Sequence, residues 1–570
     1  MMIQAADNLM PSALDVASTA SAVRSSGPSL IEALLAEQRD LTVVEKFARL
    51  HTAGESSPEL RHAQARHYED LIPLSHPGPG EQYAFRVDLD ACSGCKACVA
   101  ACHQLNGLAD DETWRSVGML VGERLVPPVS PYAVIATELP VLKHVTTACH
   151  HCVEPGCLSG CPTRAYEKDP TTGIVRHLDD QCMGCQYCLM MCPYEVPQYS
   201  AALGIVRKCD MCRQRLAADE APACVQSCPN RAISIQIVRR EDAESAAERG
   251  EFLPDSPSPR HTVPTTTYVS RDAALGALRA ADTLCDRPQH VPLSLVSMLC
   301  LTQAAVGLLA VDEALAWLAG GAWSAQARCY AGVTAAIVGL VGVHAAMLHL
   351  GRPKLAIKAW LGWRTSWLSR EVIVFGGWMA AAGASAAALL GFAPVEIGIA
   401  ARYAALALGL AGVVCSLMLY AATGRTWWSP ARNAVRFFGT TLLLGLFGAA
   451  LVAACTGSAA TSQIAIAAAL VMVAKTAWEL AVLNHYFAAE RHALRRTARL
   501  LAGELRLVID VRIALACAAV AFAYLAVALP TQALLWTSLG LGAALLGEVI
   551  ERTLFFAAVV PARMPGGIRA

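Results

Sequence analysis

Four groups of cysteines carry the chemistry that this sequence can do. The first is Cys92, Cys95, Cys98 and Cys102, with two, two and three residues between successive thiols; the third repeats that spacing as Cys182, Cys185, Cys188 and Cys192, followed by Pro193. Two-residue gaps let three thiolates wrap one cubane, while the fourth cysteine has turned away into a helix and ligates a neighbouring cluster. The second group, Cys149, Cys152, Cys157 and Cys161 before Pro162, and the last, Cys209, Cys212, Cys224 and Cys228 before Pro229, are insertions on the same theme. The reading is four 4Fe-4S clusters. Structural zinc ribbons do not need the run of four thiols ending in proline, and a disulfide framework suits short secreted chains with other spacings. The six remaining cysteines, Cys285, Cys300, Cys329, Cys415, Cys455 and Cys517, are scattered at or within apolar sequence and read as small hydrophobes.

The elements that must position these thiols fall in the first half of a 570-residue chain, and long apolar runs fill the second. Such a split predicts a multi-domain protein: an α+β, ferredoxin-like four-cluster domain followed by an all-α bundle of eight transmembrane helices. Residues 1–80 read as an N-terminal helical or extended arm, with Leu30, Ile31, Leu34, Leu35, Leu41, Val43, Val44, Phe47 and Leu50 at roughly helical spacing. Residues 81–270 form the cluster domain, 271–290 a linker, and 291–570 the membrane domain. With 46 basic and 46 acidic side chains the protein has no global field to attract nucleic acid, so no nucleic-acid partner is expected.

Eight apolar segments approach the length of about 20 residues that a bilayer core requires. They lie near 292–311, 329–350, 371–391, 398–420, 437–456, 463–484, 513–529 and 533–559. Basic residues concentrate in the connections after the second, fourth and sixth segments, including Arg352, Lys354, Lys358, Arg364 and Arg370, then Arg425, Arg432 and Arg436, then Arg491 to Arg512. By the positive-inside rule those loops, both termini and the cluster domain face the cytoplasm, in an inner-membrane protein. The first 80 residues contain no basic stretch followed by an apolar run and no twin arginine, which agrees.

The strings CSGCKACVAACH, CHHCVEPGCLSGCP, CMGCQYCLMMCPYEVP and KCDMC...CVQSCPNRAI resemble the iron-sulfur subunit of the DMSO reductase family of molybdoenzymes. The membrane half resembles the matching anchor subunit through His349-Leu350-Gly351-Arg352-Pro353, Ser366 to Glu371, Gly547-Glu548 with Arg552, and Met564-Pro565-Gly566. Fusion of the two in one polypeptide, the N-terminal arm and the absence of a proline after Cys102 are departures. The resemblance implies crosswise ligation: Cys92, Cys95 and Cys98 with Cys228; Cys209, Cys212 and Cys224 with Cys102; Cys149, Cys152 and Cys157 with Cys192; and Cys182, Cys185 and Cys188 with Cys161. It places the last of these nearest the membrane. It also implies a separate molybdopterin-containing catalytic subunit as partner, the membrane lipid and quinone or menaquinone as the other contacts, and His349 at the quinone.

Ionisable residues inside a membrane are functional hypotheses by default. His349 ends the second segment and Glu371 begins the third on the same side, so both could take the protons a quinol sheds as it gives up electrons. The plainer reading is a capping histidine and a helix-starting glutamate. Lys475 with Glu479, and Glu548 with Arg552, are spaced four apart and read as neutralising pairs; Trp427 and Trp428 read as interface anchors. Haem is not expected, because His344 and His349 share one segment and only His485 remains to face them. The expected function is electron transfer between the quinone pool and the catalytic subunit, with no substrate-reducing site in this protein. The alternative is a membrane module of an ion-translocating redox complex, in which the charges of segments six and eight form a proton path.

Overall fold

The structure is a computed structural model that describes residues 31, 36, 68–126, 137–272, 275–283, 286–318, 323–489 and 492–566. The protein divides into two compact units, 1–70 and 71–570. In the first, Ile31 and Ala36 are helical; the other apolar positions assigned to the N-terminal arm lie outside the described residues, as do Cys285 and Arg491.

The second unit begins with ten short strands: β1 Glu81–Asp88, β2 Ser116–Val126, β3 Thr137–Thr147, β4 Tyr166–Lys168, β5 Val175–His177, β6 Gln198–Ser200, β7 Ile205–Arg207, β8 Ile233–Arg239, β9 Thr267–Val269 and β10 Arg279–Ala280. β1 is central in a three-stranded sheet, antiparallel to β8 from Glu81↔Arg239 to Val87↔Ile233 and parallel to β9. Gln82, Tyr83, Ala84 and Phe85 are all buried, as expected of a strand covered on both faces. β2 pairs with β3 and β10. The hairpins β4–β5 and β6–β7 follow the second and third cysteine groups and reverse the path of the backbone, and the first of them brings Cys182, Cys185 and Cys188 back to Cys161.

Eight helices are long and apolar enough to cross a membrane, as the sequence predicts: α1 Leu293–Leu318, α2 Ala325–Ala345, α3 Trp367–Leu389, α4 Val395–Ala421, α5 Pro430–Cys455, α6 Thr461–Leu480, α7 Arg506–Ala528 and α8 Ala533–Ala557. This is a multi-pass membrane protein. α5 and α7 start several residues before the apolar runs do, because Arg436 and Arg512 near their starts find interior acids. α2 and α6 end in 3-10 turns, Ala346–His349 and Ala481–Phe487. Close backbone approach drives helix packing where lipid gives no hydrophobic push: a Cβ on Gly307 of α1 would strike the Thr441 carbonyl of α5.

The strand-bearing part sits on the helix ends where the loops after α2, α4 and α6 and the C-terminal tail gather. Arg352 N donates to the Met183 carbonyl at 3.0 Å and Gly362 N to the Pro162 carbonyl at 2.8 Å. Gly424 lies against His261, Arg496 pairs with Asp286, and Gly566 N donates to Asp282 at 3.2 Å. Gly184 is required at this seam on two grounds: its φ is +72°, and a Cβ would lie 2.9 Å from Gly351 N.

Candidate functional site

In the first and third cysteine groups the backbone turns left-handed at equivalent places, Gly94 and Lys96 in one and Gly184 and Gln186 in the other. These turns curl each loop so that its thiols converge, and the third thiol of each then falls in a helix, Ala97–Leu105 or Tyr187–Met191.

Three pockets are lined by thiols. Cys92, Cys95, Cys98 and Cys228 line one. Cys149, Cys152, Cys157 and Cys192 line another with Lys208 and Thr262, and Cys161, Cys182, Cys185 and Cys188 a third with Tyr166 and His177. The remaining four form a mutually interacting group, in which Cys224 and Cys212 act on Cys102, and Cys102 and Cys212 act on Cys209. The structure therefore gathers twelve of the sixteen thiols around three pockets in sets of four, and leaves Cys102, Cys209, Cys212 and Cys224 as near neighbours of one another.

Several donors reach the sulfurs. Ala165 N donates to Cys161 Sγ at 3.2 Å, Ala232 N to Cys228 Sγ at 3.2 Å and Met211 N to Cys209 Sγ at 3.4 Å. Burial pushes the free thiols up, Cys102 and Cys185 to about 12 and Cys192 and Cys212 to about 11, so ionisation of these groups needs a metal to take the sulfur.

These sets fit iron-sulfur clusters. A single zinc, about 2.3 Å from each sulfur, would draw its thiols within roughly 4 Å of one another. Among the described residues no three His, Cys, Asp or Glu side chains converge to hold one ion, whereas thiols gripping the corners of a cubane stand further apart. Outside the sets, Cys300 and Cys415 are buried in helices, Cys329 is half-buried, and Cys455 and Cys517 are exposed on helix faces.

The set with Cys161 lies at the membrane seam. Gly351, two residues after His349, packs on Gly204 and Gly184. On the other flank Ser366 Oγ donates to the Gly160 carbonyl at 2.7 Å, and Tyr187, beside Cys188, donates its hydroxyl to the Leu419 carbonyl at 2.7 Å. Burial first, and then the Glu371 carboxylate, hold the Tyr187 phenol well above its usual range. Glu371 is buried between α3 and α4, where the Ser416 hydroxyl donates to it. His349 is half-buried. The two residues flank one lobe, and no hydrogen bond joins them among the described residues.

Two sequence expectations are corrected by this geometry. Glu548 does not pair with Arg552; it meets Lys475 at 2.9 Å and Arg512 at 2.8 Å, while Arg552 donates to Gln303 at 2.9 Å and Thr440 at 3.2 Å and lies near Glu551. Lys475 and Glu479 do pair. Trp427 and Trp428 are buried rather than interfacial, both donating to the Phe555 carbonyl, at 3.1 and 3.0 Å. Ser416, Tyr187, Thr146, Arg115 and Lys208 have no signal in the sequence beyond the position of Lys208 directly before Cys209.

Cysteine sets built for clusters, seated on eight spanning helices, define an iron-sulfur electron-transfer protein with its own membrane anchor. Residues 141–238 match the family described as a 4Fe-4S dicluster domain, and residues 289–558 the family described as DMSO reductase anchor subunit (DmsC). The B subunit of anaerobic dimethyl sulfoxide reductase from Escherichia coli (strain K12) is 36% identical over 171 residues, 29% of this sequence and 80% of that one. Its Haemophilus influenzae counterpart is 35% identical over 154 residues, 27% of this sequence and 73% of that one. Hydrogenase-2 operon protein HybA of Escherichia coli O157:H7 is 32% identical over 237 residues, 38% of this sequence and 67% of that protein. The protein belongs to the DMSO reductase family of iron-sulfur and anchor subunits, with both fused in one polypeptide.

Proposed function

We propose that this protein carries electrons between quinone or menaquinone in the bilayer and a separate molybdopterin-containing catalytic subunit. The sets held by Cys92, Cys95, Cys98 and Cys228, by Cys102, Cys209, Cys212 and Cys224, by Cys149, Cys152, Cys157 and Cys192, and by Cys161, Cys182, Cys185 and Cys188 each take one 4Fe-4S cluster. When bound, the clusters supply a series of one-electron carriers. The relatives named as subunits of dimethyl sulfoxide reductase support a reductase as the partner.

The observation that carries the quinone end is that the two segments bearing His349 and Glu371 are the ones that clasp the Cys161 lobe. A quinol held there sheds protons to an imidazole and a carboxylate, groups able to accept them near neutral pH. The Ser416 hydroxyl fixes the Glu371 carboxylate. The basic loops on the same side support a cytoplasmic iron-sulfur domain and an inner-membrane location. Protons and electrons then leave on one side, and quinol oxidation is electroneutral.

Two measurements test this. Anaerobically purified protein contains about sixteen iron atoms per polypeptide if each set builds a four-iron cluster; four zinc ions with little iron would sink the reading. His349→Gln or Glu371→Gln slows quinol-dependent turnover about 10²- to 10⁴-fold while leaving iron content and artificial-donor rates unchanged. Parallel losses with both donors would remove the quinone assignment.

A further inference from the structure

Two cations are buried among the cysteine sets. Arg115 donates through Nη1 to Thr146 Oγ1 at 3.0 Å, and that same hydroxyl lies 3.5 Å from Cys98 Sγ. Its guanidinium stands 4.7 Å from the centroid of the Phe85 ring. The thiols acting on it are, strongest first, Cys224, Cys98, Cys209 and Cys102, which belong to the first and second sets. Lys208 donates to Cys149 Sγ at 3.6 Å, to the Cys209 carbonyl at 2.8 Å and to the Val175 carbonyl. It therefore stands between the second set and the third. Neither cation is ion-paired with a carboxylate among the described residues; Asp210 acts on Lys208 less than three thiols do, and it is turned toward Arg213 at 3.9 Å.

An unpaired buried cation is costly unless an anion compensates it. Thiolates around an iron-sulfur core leave such a site negative, and the net charge and hydrogen bonding around a cluster set its potential. The Cys161 set has a different environment. Its polar neighbours include Ala165 N, the Thr163 hydroxyl, Tyr166 and His177, which is bonded to Asp179 at 2.8 Å, and the cation acting on Cys182, Arg352, is half-buried and bonded to the Asp179 carbonyl at 2.8 Å.

We infer that Arg115 and Lys208 are shared counter-charges that raise the potentials of three of the four clusters: Arg115 acts on the first and second, Lys208 on the second and third, and neither on the membrane-side fourth. The inference rests on the four-cluster reading above. It makes the second site the electron sink of the series and leaves the fourth without a buried cation.

The experiment is a redox titration of the purified full-length protein followed by electron paramagnetic resonance, with iron measured on the same samples. Arg115→Gln should shift the first and second midpoints to more negative values, and Lys208→Met the second and third. The fourth should stay in place in both variants, and the double variant should shift the second cluster most. Unmoved midpoints with full iron would overturn the inference, as would equal shifts of all four. Wild-type protein without iron would instead overturn the cluster reading itself. If Arg115→Gln loses iron, Arg115→Lys decides: retained charge with wild-type iron and potentials supports the inference, and loss of iron there too refutes it.

Discussion

The membrane half and the cysteine half bury charge by opposite rules. In the helices the interior cations meet acids carried by another element or turn: Lys475 and Arg512 share Glu548, Arg436 faces Glu551 at 3.5 Å, and Arg402 pairs with Asp312 and Glu313. Among the cysteines, Arg115 and Lys208 have hydroxyl, carbonyl and sulfur neighbours instead. A helix in lipid can draw counter-charge only from protein side chains, its own or its neighbours', so the sequence must encode both signs. A cluster-binding loop already carries anionic sulfur when loaded, and a carboxylate there would repel it.

The sharpest way to break this contrast is at the sulfur. Cys188→Ala removes one of four thiols from a set and should abolish that cluster, with iron falling by about four atoms per polypeptide while the other three signals persist. A spectrum and iron content equal to wild type would exclude Cys188 as a ligand. Glu548→Leu comes next, because it strands Lys475 and Arg512 in the bundle. Removing one member of such a network costs about 3–5 kcal/mol, read as a lower denaturation midpoint in detergent. If the network is a proton path instead, reconstituted wild-type complex acidifies vesicles during turnover and Glu548→Leu stops this without loss of stability.

Ser416→Ala is smaller in effect. It deletes the hydroxyl donated to Glu371, a bond to a carboxylate worth about 1.5–3 kcal/mol, and should weaken quinol-dependent turnover less than Glu371→Gln does. Equal losses would mean that Ser416 touches the quinol itself. The smallest effect belongs to the solvent-facing Arg239–Asp242 pair: Asp242→Asn should leave thermal stability unchanged, since exposed pairs contribute little.

Local rules in the sequence carried far. Cysteine spacing revealed four groups because cluster loops are local objects, and eight apolar runs revealed eight helices because a bilayer demands length. Partners distant in sequence were not legible. Glu548 and Arg552 share one helix at the right spacing, yet Glu548 turns to Lys475 and Arg512 on α6 and α7, and Arg552 to Gln303 and Thr440 on α1 and α5. Tertiary partners displaced a helix-surface rule. Tryptophans beside basic residues suggested a membrane surface, but the carbonyls in the last turn of α8 lack intrahelical donors, and Trp427 and Trp428 fill that need at Phe555. Glu371 reads as a proton acceptor at the quinone, or more plainly as a helix-starting residue at the interface; the folded protein buries it near Tyr187 against Ser416 of α4. Arg115, a lone arginine between Trp114 and Ser116, shows its place only once β2 and β3 have brought Thr146 beside it.

The glycine seam has a consequence for assembly. Gly184, Gly204 and Gly351 meet backbone to backbone at one point of a wider seam that also carries the hydrogen bonds from Gly362 N to Pro162, from Ser366 to Gly160 and from Tyr187 to Leu419. Two free polypeptides would have to hold this seam by affinity alone. A short covalent tether makes the meeting intramolecular, at an effective concentration in the millimolar range. A dissociation constant near 1 mM, about 4 kcal/mol of binding free energy, then already closes half the population. Fusion therefore relaxes the affinity demanded of the seam and leaves its geometry, the approach of the membrane loops to the last cysteine set, as the property under constraint.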